Sequence, residues 1–127
     1  LQLNPNSTPA GTLLTLTVTA SDGTDIASQS ASVTIQNTPP SISGVTLSPQ
    51  PVFQGDFLTA TPVGLSDADG DVVSVQYSWY ANNTPITLCQ TSTCNNFTTG
   101  ELVYVIVTPN DGIVDGSYVT SSAIQIQ

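Results

Sequence analysis

Apolar and polar residues alternate along most of this chain with a period of two. Leu14, Leu16 and Val18 are separated by Thr15 and Thr17, and Val73, Val75, Tyr77 and Trp79 by Ser74, Gln76 and Ser78. Alternation of this kind puts one set of side chains on each face of an extended strand and marks a half-buried β-strand. The same pattern predicts strands over Ile42–Leu47, Asp56–Val63 (Leu58 and Ala60 inward), Ile86–Leu88, Asn96–Thr98, Leu102–Thr108 and Tyr118–Gln127. Ala31, Val33 and Ile35 form the inner set of a strand returning after Ser21-Asp22-Gly23. Ser48-Pro49-Gln50-Pro51, Ser66-Asp67-Ala68-Asp69-Gly70-Asp71, Asn82-Asn83-Thr84-Pro85 and Asn110-Asp111-Gly112 supply the residue types that turns require. No segment carries a helical period, so the chain is expected to be all-β.

The strands also repeat. Gly11–Gly23 returns in paraphrase as Gly100–Gly112, 89 residues later, and Val33-Thr34-Ile35-Gln36 returns as Ile124-Gln125-Ile126-Gln127 at an offset of 91. A two-residue insertion in the intervening turn is expected to absorb the difference. This period is too long for a solenoid unit and suits a whole β-sandwich in a tandem array. Asn37-Thr38-Pro39-Pro40, stiffened by two prolines, is the expected boundary. Residues 1–36, opening on the end of a strand at Leu1-Gln2-Leu3, are read as the C-terminal part of one repeat, and residues 37–127 as a complete repeat. Seven or so short strands with one buried Trp make the complete repeat an immunoglobulin-like antiparallel β-sandwich. A hairpin with a flanking strand is marginal alone in water. Residues 1–36 must therefore be completed by upstream sequence or by a neighbouring molecule.

Nine acids stand against no Lys, Arg or His, giving a net charge of −9 and a pI near 4.1. Without cations the chain has nothing to neutralise phosphates or approach an anionic membrane, so no nucleic-acid partner is expected. No run of about 18 apolar residues is present, so no direct membrane insertion is expected either. Trypsin-like proteases have no site to cut, which fits either protection in a hostile milieu or drift of an exported, Thr/Ser-rich repeat. The chain starts at Leu1 and lacks Met throughout, which fits an excerpt or a processed form. Cys89 and Cys94 have no His or further Cys to share a zinc ion with, and their spacing is not that of a redox motif. A local disulfide is expected, in an oxidising, exported setting.

Ser-Asp-Ala-Asp-Gly-Asp at 66–71, Tyr-Ser-Trp-Tyr at 77–80 and Val-Thr-Pro-Asn-Asp-Gly at 107–112, with Asn-Thr-Pro-Pro at the boundary, resemble the tandem immunoglobulin-like repeats of large exported bacterial and archaeal surface proteins. The resemblance covers the whole chain in repeat register. It implies an extracellular or cell-surface setting and a role in an adhesin shaft or filament. Many members bridge their sheets with a cysteine on the second strand and another on the sixth. Here Ala60 and Val105 stand there (Leu16 in the partial repeat), so apolar packing takes the place of that bond.

Asp67, Asp69 and Asp71 offer three carboxylates from one glycine-containing loop, the hard oxygen donors that Ca²⁺ favours. In a sandwich that loop shares an end with the Asn110–Gly112 turn, which brings Asp111 close and sets a Ca²⁺ site near the junction between repeats. A solvated acidic turn whose Asp residues cap backbone N–H groups is the competing reading. Catalysis is not expected: general-base and nucleophile schemes lack His, Lys, Arg and a free thiol. Asn6, Asn82 and Asn96 open N-x-Ser/Thr sequons in expected turns. Tyr80, Tyr104 and Ile106 occupy the outward face of one sheet, and Phe57 the other. The tyrosines suit a packing contact with adjacent repeats or copies of the same protein, or a platform for a host or surface glycan. The expected function is a structural, non-enzymatic unit of a surface fibre, stalk or adhesin. A glycan- or receptor-binding module is the alternative.

Overall fold

A computed structural model describes residues 8–127, so the expected strand end at Leu1–Leu3 and the sequon at Asn6 lie outside the described residues. The described residues form ten strands and no helix. In chain order these are β1 (Leu13–Ser21), β2 (Ile26–Thr34), β3 (Gly44–Ser48), β4 (Leu58–Val63), β5 (Ser74–Ala81), β6 (Thr84–Pro85), β7 (Thr93–Cys94), β8 (Leu102–Asn110), β9 (Val119–Thr120) and β10 (Ile124–Gln125). All pairings are antiparallel. β3, β4 and β7 form one sheet, and β10, β8, β5 and β6 another with β9 also on β8. The two sheets share one apolar core, consistent with a β-sandwich.

Alternation explains the layering. Along β8, Val103, Val105, Val107 and Pro109 are fully buried while Tyr104, Ile106 and Thr108 are only half-buried. β5 lies beside it in register, Trp79 opposite Val105, and Trp79 is 1 % exposed. From the facing sheet come Leu47, Leu58 and Ala60, with Val52, Phe97 and Ile126 closing the ends of the core. Burying a polar indole N–H calls for an acceptor. Trp79 Nε1 donates to the carbonyl of Thr91 at 2.8 Å. That carbonyl lies in the short loop closed by the Cys89–Cys94 disulfide, whose Cα atoms are 5.3 Å apart. So small a loop stabilises by about 2 kcal/mol on a chain-entropy view. Its other service is to hold an acceptor for Trp79.

Three expected strands differ. Asn96–Thr98 is not a strand; Phe97 is buried there as a core plug, and the pairing falls to Thr93–Cys94 instead. Ile86–Leu88 is largely turn, tied back by Ile86 N–H to the carbonyl of Trp79. The expected strand over Tyr118–Gln127 is broken into β9 and β10. The break explains why the similar segments are offset by 89 residues at one end and 91 at the other. Ser21↔Ile26 has its counterpart in Asn110↔Asp115, Thr17↔Ser30 in Ile106↔Thr120, and Leu14↔Val33 in Val103↔Ile124. On β8 each step covers the same number of residues as on β1, but the returning strand gains one residue at each step. The insertion is thus two one-residue bulges, not a longer turn. At the second, Ser121 bonds Val105 twice: its N–H donates to the Val105 carbonyl, and its hydroxyl accepts the Val105 N–H.

Local bonding recurs too. Gly11 N–H to Ile35 O and Ile35 N–H to Thr12 O correspond to Gly100 N–H to Ile126 O and Ile126 N–H to Glu101 O. Asp22 Oδ1 accepts the N–H groups of Thr24 and Asp25, as Asp111 Oδ1 accepts those of Ile113 and Val114. Gly23 and Gly112 take left-handed φ values of 93° and 92°, which favour glycine in both turns. Burial does not recur. Leu16 is 68 % exposed, and among the described residues no strand pairs with the outer edge of β1. Threonine–serine hydroxyl pairs (Thr15–Ser32, Thr17–Ser30, Thr19–Ser28) run along one face of the hairpin. The other face presents Leu14, Leu16, Val18, Ala31 and Val33.

Candidate metal centre and linker clamp

Residues 37–41, between β2 and β3, run over one end of the sandwich. Asn37 Nδ2 donates to Asp111 Oδ2 at 2.8 Å, and the Thr38 N–H donates to Asp69 Oδ2 at 2.5 Å. Pro40 is buried, and Ser41 and Ser66 exchange both backbone hydrogen bonds. Gly116, at the first bulge of the returning strand, accepts the linker closely: a Cβ there would stand 1.9 Å from the Pro40 carbonyl oxygen. Only a residue without a side chain leaves room for that crossing. The linker is thus clamped by the 67–71 loop and the 110–116 segment together, at the shared end that the sequence reading expects.

Within the clamp, one ligand atom each from Asp67, Asp69 and Asp71 lies within 4.8 Å of the others. The loop brings them together because Asp67 Oδ1 accepts the N–H groups of Asp69 (2.7 Å) and Asp71 (3.2 Å), and Gly70 turns the chain at φ 82°. Three oxygens here are buried and have no donor: Asp67 Oδ2, Asp71 Oδ2 and Asn37 Oδ1. A buried acceptor without a partner is costly, and a carboxylate oxygen more so. A cation held by the triad would compensate the two carboxylate oxygens. Every donor in the set is oxygen, and the cysteines are joined to each other elsewhere, so the chemistry suits a hard cation rather than zinc. The aspartate triad is able in principle to hold a metal ion.

Asp111 stands apart from the triad. Both of its oxygens are occupied, Oδ2 by Asn37 and Oδ1 by the Ile113 and Val114 N–H groups, and the residue is 8 % exposed. The Asn37 amide, then the Val114 and Ile113 N–H groups, hold its carboxyl below the ordinary range. Its link to the triad runs through the linker: Asn37 binds Asp111, and Thr38 binds Asp69. Asn37 is the residue that sequence reasoning passed over. The available signal was an amide at the boundary facing a loop of carboxylates.

The other candidate residues lie elsewhere. Tyr80 and Tyr104 are cross-strand partners on the outer face of the larger sheet, their rings stacked at 5.1 Å and 7°. Ile106 sits half-buried on the same face, one step along. Phe57 is exposed just before β4. Asn82 occupies the β5–β6 turn, and Asn96 is exposed between β7 and β8. Comparison of the chain with protein-family models, curated proteins and solved structures finds no match in any of the three.

Proposed function

We propose that this chain is part of an extracellular structural array of immunoglobulin-like units, without catalytic function. In this reading residues 37–127 are one complete unit and residues 1–36 the C-terminal part of the unit before it. The observation that carries it is the recurrence of the β8–β10 backbone in β1–β2, whose apolar face and one edge are left open among the described residues. The counterpart face is buried under β3, β4 and β7, and the counterpart edge takes β5. A sheet edge and an apolar face left open together are what half of a sandwich presents. The order of the complete unit, β3-β4-β7 against β10-β8-β5-β6, agrees with an immunoglobulin-like sandwich. The disulfide fits an oxidising setting.

The mechanism is mechanical. Tension along the array passes through residues 36–41, so the clamp on Asn37, Thr38 and Pro40 sets how freely one unit swings on the next. Ca²⁺ at Asp67, Asp69 and Asp71 would join the loop to the linker that Asp69 already holds. Electron microscopy of the polypeptide as it is made by its source, with its intact mass, tests the reading. A beaded fibre or stalk whose repeat mass matches one unit is expected; a compact particle with no repeat overturns it. Titration calorimetry tests the cation. Heat of binding and a raised melting temperature with Ca²⁺ are expected, and neither appearing removes the metal from the mechanism. The stacked pair Tyr80–Tyr104 favours a second reading, a glycan- or receptor-binding module, which a glycan array without hits would remove.

A further inference from the structure

The geometry points to Asn82 as an N-glycosylation acceptor whose first sugar packs on the Tyr80–Tyr104 pair. Tyr80-Ala81-Asn82-Asn83-Thr84 spans the tightest hairpin of the larger sheet, Ala81 pairing with Thr84 across a two-residue turn. Asn82 and Asn83 both have positive φ, 48° and 65°, as a type I′ turn demands and asparagine tolerates. The turn pins the acceptor. Asn82 Oδ1 accepts the Leu102 N–H at 3.1 Å, and Asn82 N–H donates to the Leu102 carbonyl at 2.9 Å. No hydrogen bond among the described residues engages the Asn82 amide nitrogen, which is the atom that glycosylation uses. Asn82 and Thr84 are both exposed, so acceptor and sequon hydroxyl stand together at the surface.

The bond formed is between Nδ2 and the anomeric carbon of a lipid-linked sugar. The anomeric C–O bond breaks, the lipid phosphate or pyrophosphate leaves with the electron pair, and the amide gives up one proton. Tyr80 precedes the acceptor by two residues, near the end of the strand that leads into the turn. Tyr104 lies against it at 5.1 Å and donates its hydroxyl to Asn83 Oδ1 at 3.3 Å, which ties the ring pair to the turn. The C–H face of a sugar folded back from Asn82 meets half-exposed aromatic surface already in place. Asn96 lacks this arrangement. Cys94, two residues before it, is buried in the disulfide, and Phe97 points into the core.

The test uses the full chain recovered from the organism that makes it and the same chain from a glycosylating host. Trypsin cannot cut it, so chymotryptic peptides are mapped, with enzymatic deglycosylation in heavy-oxygen water marking occupied Asn as labelled Asp. A sugar mass at Asn82, absent in Thr84→Ala, is expected. An unmodified Asn82 in the protein from its source overturns the acceptor. The glycosylated form should also melt a few degrees above the deglycosylated one, on the order of 4 °C for a packing contact of ordinary strength. That difference should vanish in Tyr80→Thr and shrink in Tyr104→Thr, both outward-facing changes the sheet can bear. If it persists in both, the tyrosines are not the platform.

Discussion

Between β1–β2 and β8–β10 the same backbone is built twice and used in opposite ways. The glycines at left-handed φ, the aspartate that collects two N–H groups in the turn, and the bonds that close the base of the hairpin all recur. What differs is the company. Val105 is 0 % exposed against Trp79 and the facing sheet, whereas Leu16, its counterpart, meets none of these. The straight return of β2 is replaced by two bulges around β9, one of which lets the linker cross at Gly116 and the other lets Ser121 bond Val105. The hairpin thus keeps the local form of β8–β10 without the burial that β8–β10 has among the described residues.

Paired substitutions 89 residues apart put the comparison at risk, beginning with the largest effect. Val105→Asp would bury a charge with no partner and should destabilise the C-terminal unit by more than about 4 kcal/mol, enough to unfold it. Leu16→Asp in the same chain should move the unit's melting by less than about 0.5 kcal/mol in calorimetry. Comparable losses at both positions would mean that the hairpin is packed after all. Next in size is Gly116→Ala, which drives a methyl group into the Pro40 carbonyl. It should cost about 1–3 kcal/mol by denaturant titration and speed amide exchange at Ser41 and Ser66, while Gly44→Ala, in open space, should do little.

The smallest effect is on acid stability. Hydrogen bonds hold the carboxyls of Asp111 and Asp22 below their ordinary range. A carboxyl with a lowered folded-state pKa stabilises fully above its unfolded value, about 3.9, and that contribution is lost as pH falls through the folded value. Asp111→Asn should therefore flatten the unit's loss of stability below about pH 4. Asp22→Asn should leave the unit's acid transition where it was, because its turn belongs to the uncovered hairpin. A shift of that transition by Asp22→Asn would show the two regions coupled.

Much of this fold was legible from period-two alternation. Val75, Tyr77 and Trp79 mark β5, and Val103, Val105 and Val107 mark β8, because a strand with one buried face must write that face into its sequence. The position of the acidic loop beside the Asp111 turn followed from sandwich geometry. The bulges were not legible. A two-residue insertion looks the same on paper whether it lengthens a turn or enters a strand one residue at a time, and only the register separates the two. Phe97 was misread for a related reason: an aromatic between polar residues imitates alternation while serving as a plug. Asn37 was hidden because an asparagine at a boundary is ordinary turn chemistry, and its meaning depends on carboxylates more than thirty residues away.

Trp79 is the only tryptophan, and residues 1–36 contain no aromatic residue at all. The indole therefore acts as an optical probe of one region alone, its emission sensitive to water reaching the Thr91 carbonyl when the 89–94 loop opens. Every aromatic near-ultraviolet signal from this molecule reports on the region after residue 36 and is silent about the hairpin. Changes in the hairpin have to be followed by isotope, by label or through the far-ultraviolet signal of its backbone.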